Sequence, residues 1–420
     1  MKFSLNYDVI VCGAGVAGVA AAVQAARRGQ KVALVEKQNL IGGLACSGLI
    51  HVYLPLCDGN GNQVISGIAE EMLLKSQEFS PFRLSKTWGG NGIPRRANRD
   101  RYEVEFSPAA LTITLDEMLL EAGVELWLDS RVCDIQQNQQ RIEAVIVENV
   151  SGRGKLQAKC FIDASGDATI LRLAGGEFVT EDNSLSFWLL ERSPNAEKLY
   201  HFTDQIHMQT FRFPPEQYQP GSGLDGLDYS SYTRQAWRQL RQFYRDSYSQ
   251  GNDSFTHYPL HLPAMPQYRK TAAAQCLYML DDQDEQLSFT DSVGLTGDWR
   301  KPGPVWETPL RSLIPVQHEA LFMAGRCIGA INQAWEVYRV IPTAAMTGQA
   351  AGMAAALCNE QNCGTRQLEP ALLQAELRKN KIKLHKSQLY PAISRHSLTL
   401  SSAPPFFYIS HLLKTCCAFV

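Results

Sequence analysis

The chain has 420 residues, of which 45% are hydrophobic and 20% are charged, and its formal net charge is −2. This composition is that of an ordinary globular protein, and the length predicts two domains. The near-neutral charge gives no electrostatic reason to expect binding to nucleic acid or to an anionic membrane. Because no leader pattern or apolar run of ~20 residues is visible, we expect a cytoplasmic protein without a transmembrane segment.

The eleven cysteines are scattered along the chain. Their number is odd, and no C-x-x-C motif occurs. This pattern argues against zinc-ribbon and iron–sulfur sites, so no metal site is predicted. It favours reduced thiols in a cytosol.

Residues 7–36 carry the most informative pattern. An apolar strand at 7–11 leads into a G-x-G-x-x-G turn and an Ala-rich helix, and a second strand at 31–35 ends on Glu36. In this arrangement glycines allow a tight turn, close approach to a pyrophosphate and helix–strand packing, while the acid accepts hydrogen bonds from a ribose. The segment predicts an adenine-dinucleotide site, and the alternative is a glycine turn without a ligand. The glycines are Gly13, Gly15 and Gly18.

The middle of the chain continues an α/β pattern. A helix is predicted at 107–122, since Ser107 can cap it and Gly123 follows it. The run D-A-S-G-D at 163–167 then falls at the carboxyl end of a strand, where open α/β sheets bind ligands. The strands are predicted at 124–128, 132–135, 142–150 and 156–163.

Residues 181–300 change character, being rich in aromatic residues, Gln and Asp, with a polar helix around 231–248. A strand at 320–328 and a small-residue helix from about 342 to 358 follow. This order indicates a nucleotide domain interrupted by a substrate-facing insertion. The predicted units are a discontinuous FAD-type domain at 1–57, 105–180 and 300–386, a substrate or cap domain at 58–104 and 181–299, and a tail of unclear role at 387–420.

Four ordered blocks make the sequence resemble the bacterial FAD-dependent oxidoreductases, which have the glutathione-reductase-like FAD-binding fold and fumarate-reductase-like relatives. The resemblance implies an α/β protein: a Rossmann-like FAD-binding domain with three layers and a mostly parallel sheet, and an inserted α+β substrate domain. The blocks are the fingerprint ending in Glu36-Lys37, a G-G-x-x-x-x-G loop at 42–48, the D-A-S-G-D block at 163–167, and a late block at 324–330 and 339–352.

The resemblance also implies how the cofactor is held. Glu36 would bind the adenosine ribose, Val132 would contact adenine through its main chain, and the helix beginning at Pro342 would point its N–H groups at the flavin. FAD is expected to be non-covalent, because no His precedes the Gly-Gly loop. The implied cofactor-binding residues are Gly13, Gly15, Gly18, Glu36, Lys37, Gly42, Gly43, Val132, Gly166, Gly325, Arg326, Pro342, Thr343 and Ala344.

Three residues are candidates for the chemistry. Arg339 is the first choice for a cation near flavin or substrate, and the alternative is an ion pair that holds its loop. Arg311, together with Glu307, either lines the pocket or forms a structural salt bridge. His51 is a candidate proton donor or else a core histidine.

Departures from the family pattern leave the substrate class open. Asn332-Gln333 stands where many relatives have a His-Glu pair, and Arg269-Lys270-Thr271 is followed by two alanines instead of two arginines. Four arginines either attract an anionic substrate or form a solvated surface. Two cysteine pairs invite a redox interpretation that is not favoured: Cys46 and Cys57 are too far apart for the C-x-x-x-x-C spacing, and Cys358 and Cys363, which have that spacing, lie at the end of the late helix. The four arginines are Arg95, Arg96, Arg99 and Arg101.

The sequence therefore predicts an FAD-dependent dehydrogenase or reductase that moves a hydride between FAD and a small organic substrate. NAD(P)H or another electron carrier would be a further partner. Two alternatives remain open: a flavin monooxygenase, and a non-catalytic protein that keeps the FAD fold as a binding scaffold.

Overall fold

The computed structural model describes residues 1–85, 101–183, 186–194, 205–213 and 221–390. Its strands are β1 (Ser4–Asn6), β2 (Val9–Cys12), β3 (Val32–Val35), β4 (Val52–Tyr53), β5 (Val104–Glu105), β6 (Glu125–Trp127), β7 (Arg131–Asn138), β8 (Arg141–Asn149), β9 (Gly152–Gln157), β10 (Cys160–Asp163), β11 (Phe178–Val179), β12 (Ser186–Arg192), β13 (Ile206–Arg212), β14 (Tyr258–His261), β15 (Ala273–Ala274), β16 (Ser292–Gly297), β17 (Val305–Pro309) and β18 (Leu321–Met323). Its α-helices are α1 (Val16–Arg27), α2 (Ile68–Ser76), α3 (Pro108–Ala122), α4 (Thr169–Leu173), α5 (Gly226–Ser249), α6 (Asn332–Tyr338), α7 (Ile341–Gln361) and α8 (Pro370–Lys379).

A five-stranded parallel sheet in the order β18-β10-β2-β3-β6 forms the centre of the fold. Every residue of β2, β3, β10 and β18 is buried, as expected for a parallel sheet covered on both faces. Asp163 pairs with both Cys12 and Met323, and Cys12 pairs with Val35. The carboxyl ends of four strands therefore meet at one edge, and the predicted Rossmann-like fold class is confirmed.

Helices α1 and α7 pack together at very short range. A Cβ added to Gly348 would lie 2.1 Å from the backbone oxygen of Ala17, and one added to Gly352 would lie 2.3 Å from that of Ala21. Only glycine allows this approach, because any side chain would displace the neighbouring backbone. The late helix is thereby fixed against the helix of the N-terminal fingerprint.

Two further sheets complete the architecture. Strands β1, β9, β8 and β7 form a four-stranded sheet, and most of its buried apolar residues belong to the same core as the parallel sheet. Strands β13, β12 and β14 form an antiparallel sheet that packs with α5 into a second, aromatic-rich cluster. This sheet and α5 correspond to the inserted α+β part of the predicted fold. Helix α5 begins earlier than the predicted 231, because Asp225 caps it by accepting hydrogen bonds from Leu227 and Asp228.

Two features of the described chain bear on the predicted boundaries. The predicted strand at 156–163 is two strands, since β9 ends at Gln157 and β10 begins at Cys160. Buried residues between 272 and 295, and others from α2, join the main core, although the prediction places them in the cap. The domain limits themselves stay a prediction.

The described helices can be compared with the length and apolarity that a bilayer requires. No single one of them meets both criteria, and α6 with α7, bent by 85°, meets them only as a pair.

Candidate functional site

A cleft lies at the carboxyl edge of the parallel sheet, with an empty volume of about 720 Å³ including its mouth. Its walls come from segments far apart in sequence that the sheet brings together. Ten of the fourteen predicted cofactor-binding residues and one of the three catalytic candidates line it. The former are Gly13, Gly15, Glu36, Lys37, Gly42, Gly43, Gly166, Gly325, Arg326 and Ala344, and the latter is Arg339.

The remaining predicted residues lie outside this lining. Gly18 packs directly behind Gly13 in the turn and so supports the cleft without facing it. Val132, Pro342 and Thr343 are also outside the lining, as are His51 and Arg311.

The glycine turn shows which glycines pack against the protein and which one faces the open cleft. Gly13 has φ +96°, and a Cβ there would lie 2.6 Å from the Cα of Ser165. A Cβ on Gly18 would lie 1.7 Å from the backbone oxygen of Gly13. A Cβ on Gly15 would meet no protein atom within 4 Å, although Gly15 lines the cleft. The open space beside Gly15 fits the close approach of a diphosphate.

Glu36 follows β3, and its carboxylate lies against the glycine turn. One oxygen accepts a hydrogen bond from the backbone N–H of Ala14 at 2.7 Å, and the other accepts one from Gln38 at 2.9 Å. Burial raises the pKa of Glu36, and the two backbone donors partly oppose this shift. The backbone oxygen of Glu36 also accepts a hydrogen bond from the N–H of Ser130 at 2.9 Å, so the chain just before β7 lies next to Glu36.

The Gly-rich loop packs against the same turn. Gly42 donates its N–H to the oxygen of Ala14 at 2.7 Å, and it pairs with Gly15 in an isolated bridge. Gly42 and Gly43 have φ of +98° and +55°, a region that favours glycine. A Cβ on Gly43 would lie 3.1 Å from the Cα of Gly15. The two glycine segments therefore form adjacent walls of the cleft.

Asp167 anchors a buried charge network at the cleft. It lies 2.6 Å from Arg326 and 3.4 Å from Lys37, and it accepts a hydrogen bond from the hydroxyl of Thr271 at 3.0 Å. Burial alone would raise the pKa of Asp167, but the charges of Arg326 and Lys37 outweigh it and hold this pKa below its usual value. The sequence predicts no separate role for Asp167 within the D-A-S-G-D block, because its partners are remote along the chain.

The strand-end turn at Gly325 joins this network to the start of α7. Gly325 has φ +75°, and its N–H donates to the hydroxyl of Thr347 at 3.0 Å. At the first turn of α7, Ala344 faces the cleft while Pro342 and Thr343 are buried outside the lining. The hydroxyl of Thr343 lies 2.7 Å from that of Thr296. The helix N-terminus, with its partial positive charge, thus borders the cleft.

Arg339 lies at the cleft and is held by an ion pair. Its guanidinium forms an ion pair with Glu336 and lies 5.9 Å from the ring centroid of Trp299. Arg339 also lines the cleft. Glu336 in turn contacts Lys270 at 3.2 Å. These partners fix the position of a cation at the cleft wall.

His51 is fully buried, and its ring meets that of Trp188 edge-on at 5.7 Å. Burial lowers the pKa of His51 to about 4, so the ring is neutral at neutral pH. Arg311 forms a two-pronged pair with Asp291 and lies over the ring of Tyr278. Because neither side chain reaches the cleft lining, both occupy positions suited to structure.

Three other candidates from the sequence make structural contacts away from the cleft. Buried Glu307 accepts hydrogen bonds from the N–H groups of Phe289 and Lys386, while Arg311 pairs with Asp291 instead. The N–H groups of Asn332 and Gln333 donate to Glu181 and Asp282, fixing the start of α6. These contacts give Glu307, Asn332 and Gln333 structural roles that require no proton transfer.

The cysteine pairs hold free thiols. Cys46 and Cys57 are both buried, and burial raises the pKa of Cys46 to about 12. Burial also raises the pKa of Cys358, near the end of α7. Because the thiolate is the reactive form, Cys46 and Cys358 have the properties of structural cysteines.

Some predicted features fall outside the described residues. These are Arg95, Arg96 and Arg99 of the arginine cluster, and residues 391–420 of the tail. Arg101, the remaining member of the cluster, donates to the backbone oxygens of Trp299 and Asp298. Both of its terminal nitrogens are therefore engaged within the protein.

Comparison with known proteins gives partial matches to individual relatives. Digeranylgeranylglycerophospholipid reductase of Picrophilus torridus is 27% identical over 166 residues, which are 39% of this chain and 40% of that protein. Dihydrolipoyl dehydrogenase of Staphylococcus aureus is 36% identical over 97 residues, 21% of each chain. The chain therefore spans two fifths or less of the length of these relatives.

Among solved structures, a geranylgeranyl bacteriochlorophyll reductase-like protein of Thermoplasma acidophilum is similar over 90% of this chain and 84% of its own, with 14% identity and a TM-score of 0.47. A myxobacterial chondrochloren halogenase is similar over 90% and 79%, with 15% identity and a TM-score of 0.45. A family profile described as FAD-dependent oxidoreductase matches residues 8–188 and 203–377, most of the chain. The cleft residues come from these matched ranges, and the chain belongs to the family of FAD-dependent oxidoreductases.

Proposed function

We propose that this protein is a dehydrogenase or reductase that moves a hydride between non-covalently bound FAD and a small organic substrate. The observation that carries the proposal is the cleft itself. It begins at the dinucleotide turn beside Gly15 and Glu36, and it is bordered further along by Arg339 and the start of α7. One cleft thus offers a place for the diphosphate and ribose and, beyond it, a cationic region for the reactive end of the cofactor and the substrate.

Each part of the cleft has a distinct task. FAD, when bound, supplies the hydride chemistry. Glu36 accepts hydrogen bonds from the adenosine ribose, and in doing so it exchanges or shares its present donor, Ala14. The glycines leave room for the diphosphate, and the N-terminus of α7 favours negative charge next to Ala344.

Arg339 is the candidate for a charged group at the reacting end. Its ion pair with Glu336 holds the guanidinium in place, and Arg339 is part of the cleft lining. A fixed cation there would orient an anionic group or stabilise negative charge. His51 and Arg311 are not assigned a role in this mechanism, because neither lines the cleft.

The absorption spectrum of the purified protein tests the cofactor first. A yellow protein that loses its colour anaerobically with a reduced substrate or with NAD(P)H supports the proposal, and the bleaching agent identifies the half-reaction. Release of FAD on mild denaturation tests that the cofactor is non-covalent. A colourless protein that takes up no added FAD contradicts the proposal and favours a binding scaffold. Formation of a hydroxylated product with oxygen and reduced cofactor would favour a monooxygenase.

A cytoplasmic location forms part of the proposal. It is supported by the free thiols of all nine cysteines in the described part of the chain. Fractionation of cells that express the full chain tests it, and recovery outside the cytosolic fraction contradicts it.

A further inference from the structure

Helix α5 carries a row of arginines on its exposed side. Neighbours in the row are four, three and four residues apart, so all four lie within about 60° of arc and extend over about 16 Å of the helix. The opposite side of α5 packs into the aromatic-rich cluster through Tyr232, Ala236 and Leu240. This row is called the arginine stripe below, and its members, all exposed, are Arg234, Arg238, Arg241 and Arg245.

The stripe carries four positive charges that the fold does not use. Within the described residues, none of the four guanidiniums forms an ion pair, and Arg238 donates to the neutral amide of Gln235 at 3.1 Å. The two carboxylates of the helix, Asp228 and Asp246, lie to one side of the stripe. Like charges three and four residues apart weaken a helix, so helix stability does not account for the stripe.

Two exposed apolar side chains lie next to the stripe. Trp237, 43% exposed, is three residues after Arg234 and four before Arg241, so it is the neighbour of both on the helix surface. Leu227, 79% exposed, lies two turns before Arg234 on the same side of the helix. Tryptophan and leucine beside a row of cations suit the boundary between lipid headgroups and acyl chains.

We propose that the arginine stripe docks the protein on an anionic lipid surface. The net charge of −2 is a sum over the whole chain and does not show this local excess of positive charge. A continuous lipid surface contacts a straight row on a convex helix at every arginine, while Trp237 and Leu227 enter the boundary region. Single-stranded nucleic acid is held in a groove instead, and its phosphates offer no partner for Leu227.

Such an attachment is peripheral. Because salt screens exposed charges, it is reversible, and a salt wash returns the protein to the cytosolic fraction.

Sedimentation of the full chain with vesicles tests this inference. Vesicles of phosphatidylcholine alone are compared with vesicles that also contain phosphatidylglycerol, at low and at high salt. We expect binding to the anionic vesicles only, and release by salt. The assay needs neither FAD nor substrate, so its failure leaves the proposed function untouched.

Two fourfold variants of the stripe separate charge from folding. Replacing all four arginines by glutamine should weaken binding to the anionic vesicles at least about hundredfold, because each basic residue near the surface contributes to the attraction. Replacing them by lysine keeps the charge and should keep the binding. Neither variant should lower the melting temperature, because the stripe has no ion pairs to lose.

The matched control removes the same number of positive charges from other exposed positions and should bind anionic vesicles like the wild type. The inference is overturned if the wild type does not bind these vesicles, if the control loses binding as the glutamine variant does, or if the glutamine variant binds like the wild type. The control combines Arg141→Gln, Arg153→Gln, Lys159→Gln and Arg378→Gln.

Trp237→Ala tests the choice of a lipid surface over another polyanion. It should weaken vesicle binding several-fold, because it removes the side chain that enters the boundary region. Unchanged vesicle binding by this variant would overturn the inference, and so would a wild type that binds single-stranded RNA in preference to anionic vesicles.

Discussion

Replacing Gly15 by alanine separates the cofactor role of the glycine turn from its structural role. Gly15 has φ −68° and ψ 177°, which alanine adopts without strain, and a Cβ there meets no protein atom within 4 Å. Alanine caps a helix less well than glycine, but it also restricts the unfolded chain, and each effect is about 1 kcal/mol or less. The two oppose each other, so the free energy of unfolding of the FAD-free protein should change by less than about 1 kcal/mol.

The added methyl group should act on FAD binding instead, because it points into the space beside the turn that a diphosphate requires. Inserting a methyl group into a packed site costs about 1–3 kcal/mol. Since 1.4 kcal/mol corresponds to about tenfold in affinity, the dissociation constant for FAD should rise by roughly 5- to 150-fold. Titration of the FAD-free protein, followed by quenching of flavin fluorescence, measures this change.

Gly13→Ala is the matched comparison. Gly13 has φ +96°, and its added Cβ would lie 2.6 Å from the Cα of Ser165. Strain and overpacking should therefore lower the free energy of unfolding by at least about 2 kcal/mol even without FAD. The reasoning is refuted if Gly15→Ala binds FAD as tightly as the wild type, or if its FAD-free form is as unstable as Gly13→Ala.

Three further predictions concern stability. Gly352→Val should lower the melting temperature strongly, because its side chain would start 2.3 Å from a backbone oxygen of α1, whereas Gly226→Ala, with free space around it, should be nearly neutral; equal effects would contradict the packing argument. Asp167→Asn should cost about 3–5 kcal/mol in chemical denaturation, because it leaves the guanidinium of Arg326, whose side chain is only 10% exposed, without its carboxylate; an unchanged midpoint would contradict this. The pKa of His51 is about 4 in the folded protein and 6.5 for an unperturbed histidine, so on acidification the unfolded state binds the proton first. The contribution of neutral His51 is complete above pH 6.5 and is lost as the pH falls towards 4, by up to about 3 kcal/mol; His51→Phe should remove that slope, and an unchanged slope would refute the assignment.

The elements that the sequence predicts well are those with local signals. Helix α3 begins and ends where Ser107 and Gly123 indicate, with the Ser107 hydroxyl accepting from Ala110 and Gly123 at φ +72°. The break between β9 and β10 escapes prediction, because residues 158 and 159 are Ala and Lys and carry no turn signal.

The same difference between local and long-range signals applies to the candidate site. The glycine turn and Glu36 form one contiguous unit, so their spacing alone indicates a ligand. The network at Asp167 joins residues 130 and 159 positions apart, and no local pattern reveals such contacts. The positions of His51 and Arg311 depend equally on tertiary packing, which a sequence pattern does not encode.

The late position of β18 in the chain has a consequence for biosynthesis. Until residues 321–323 have been made, β10 has a neighbour on one side only and presents an open edge to other chains. The contacts of Gly348 and Gly352 with α1 come later still. A ribosome-bound chain thus carries the complete dinucleotide turn long before it has the wall formed by Arg326 and Arg339, and the whole cleft exists only after the start of α7 has been made.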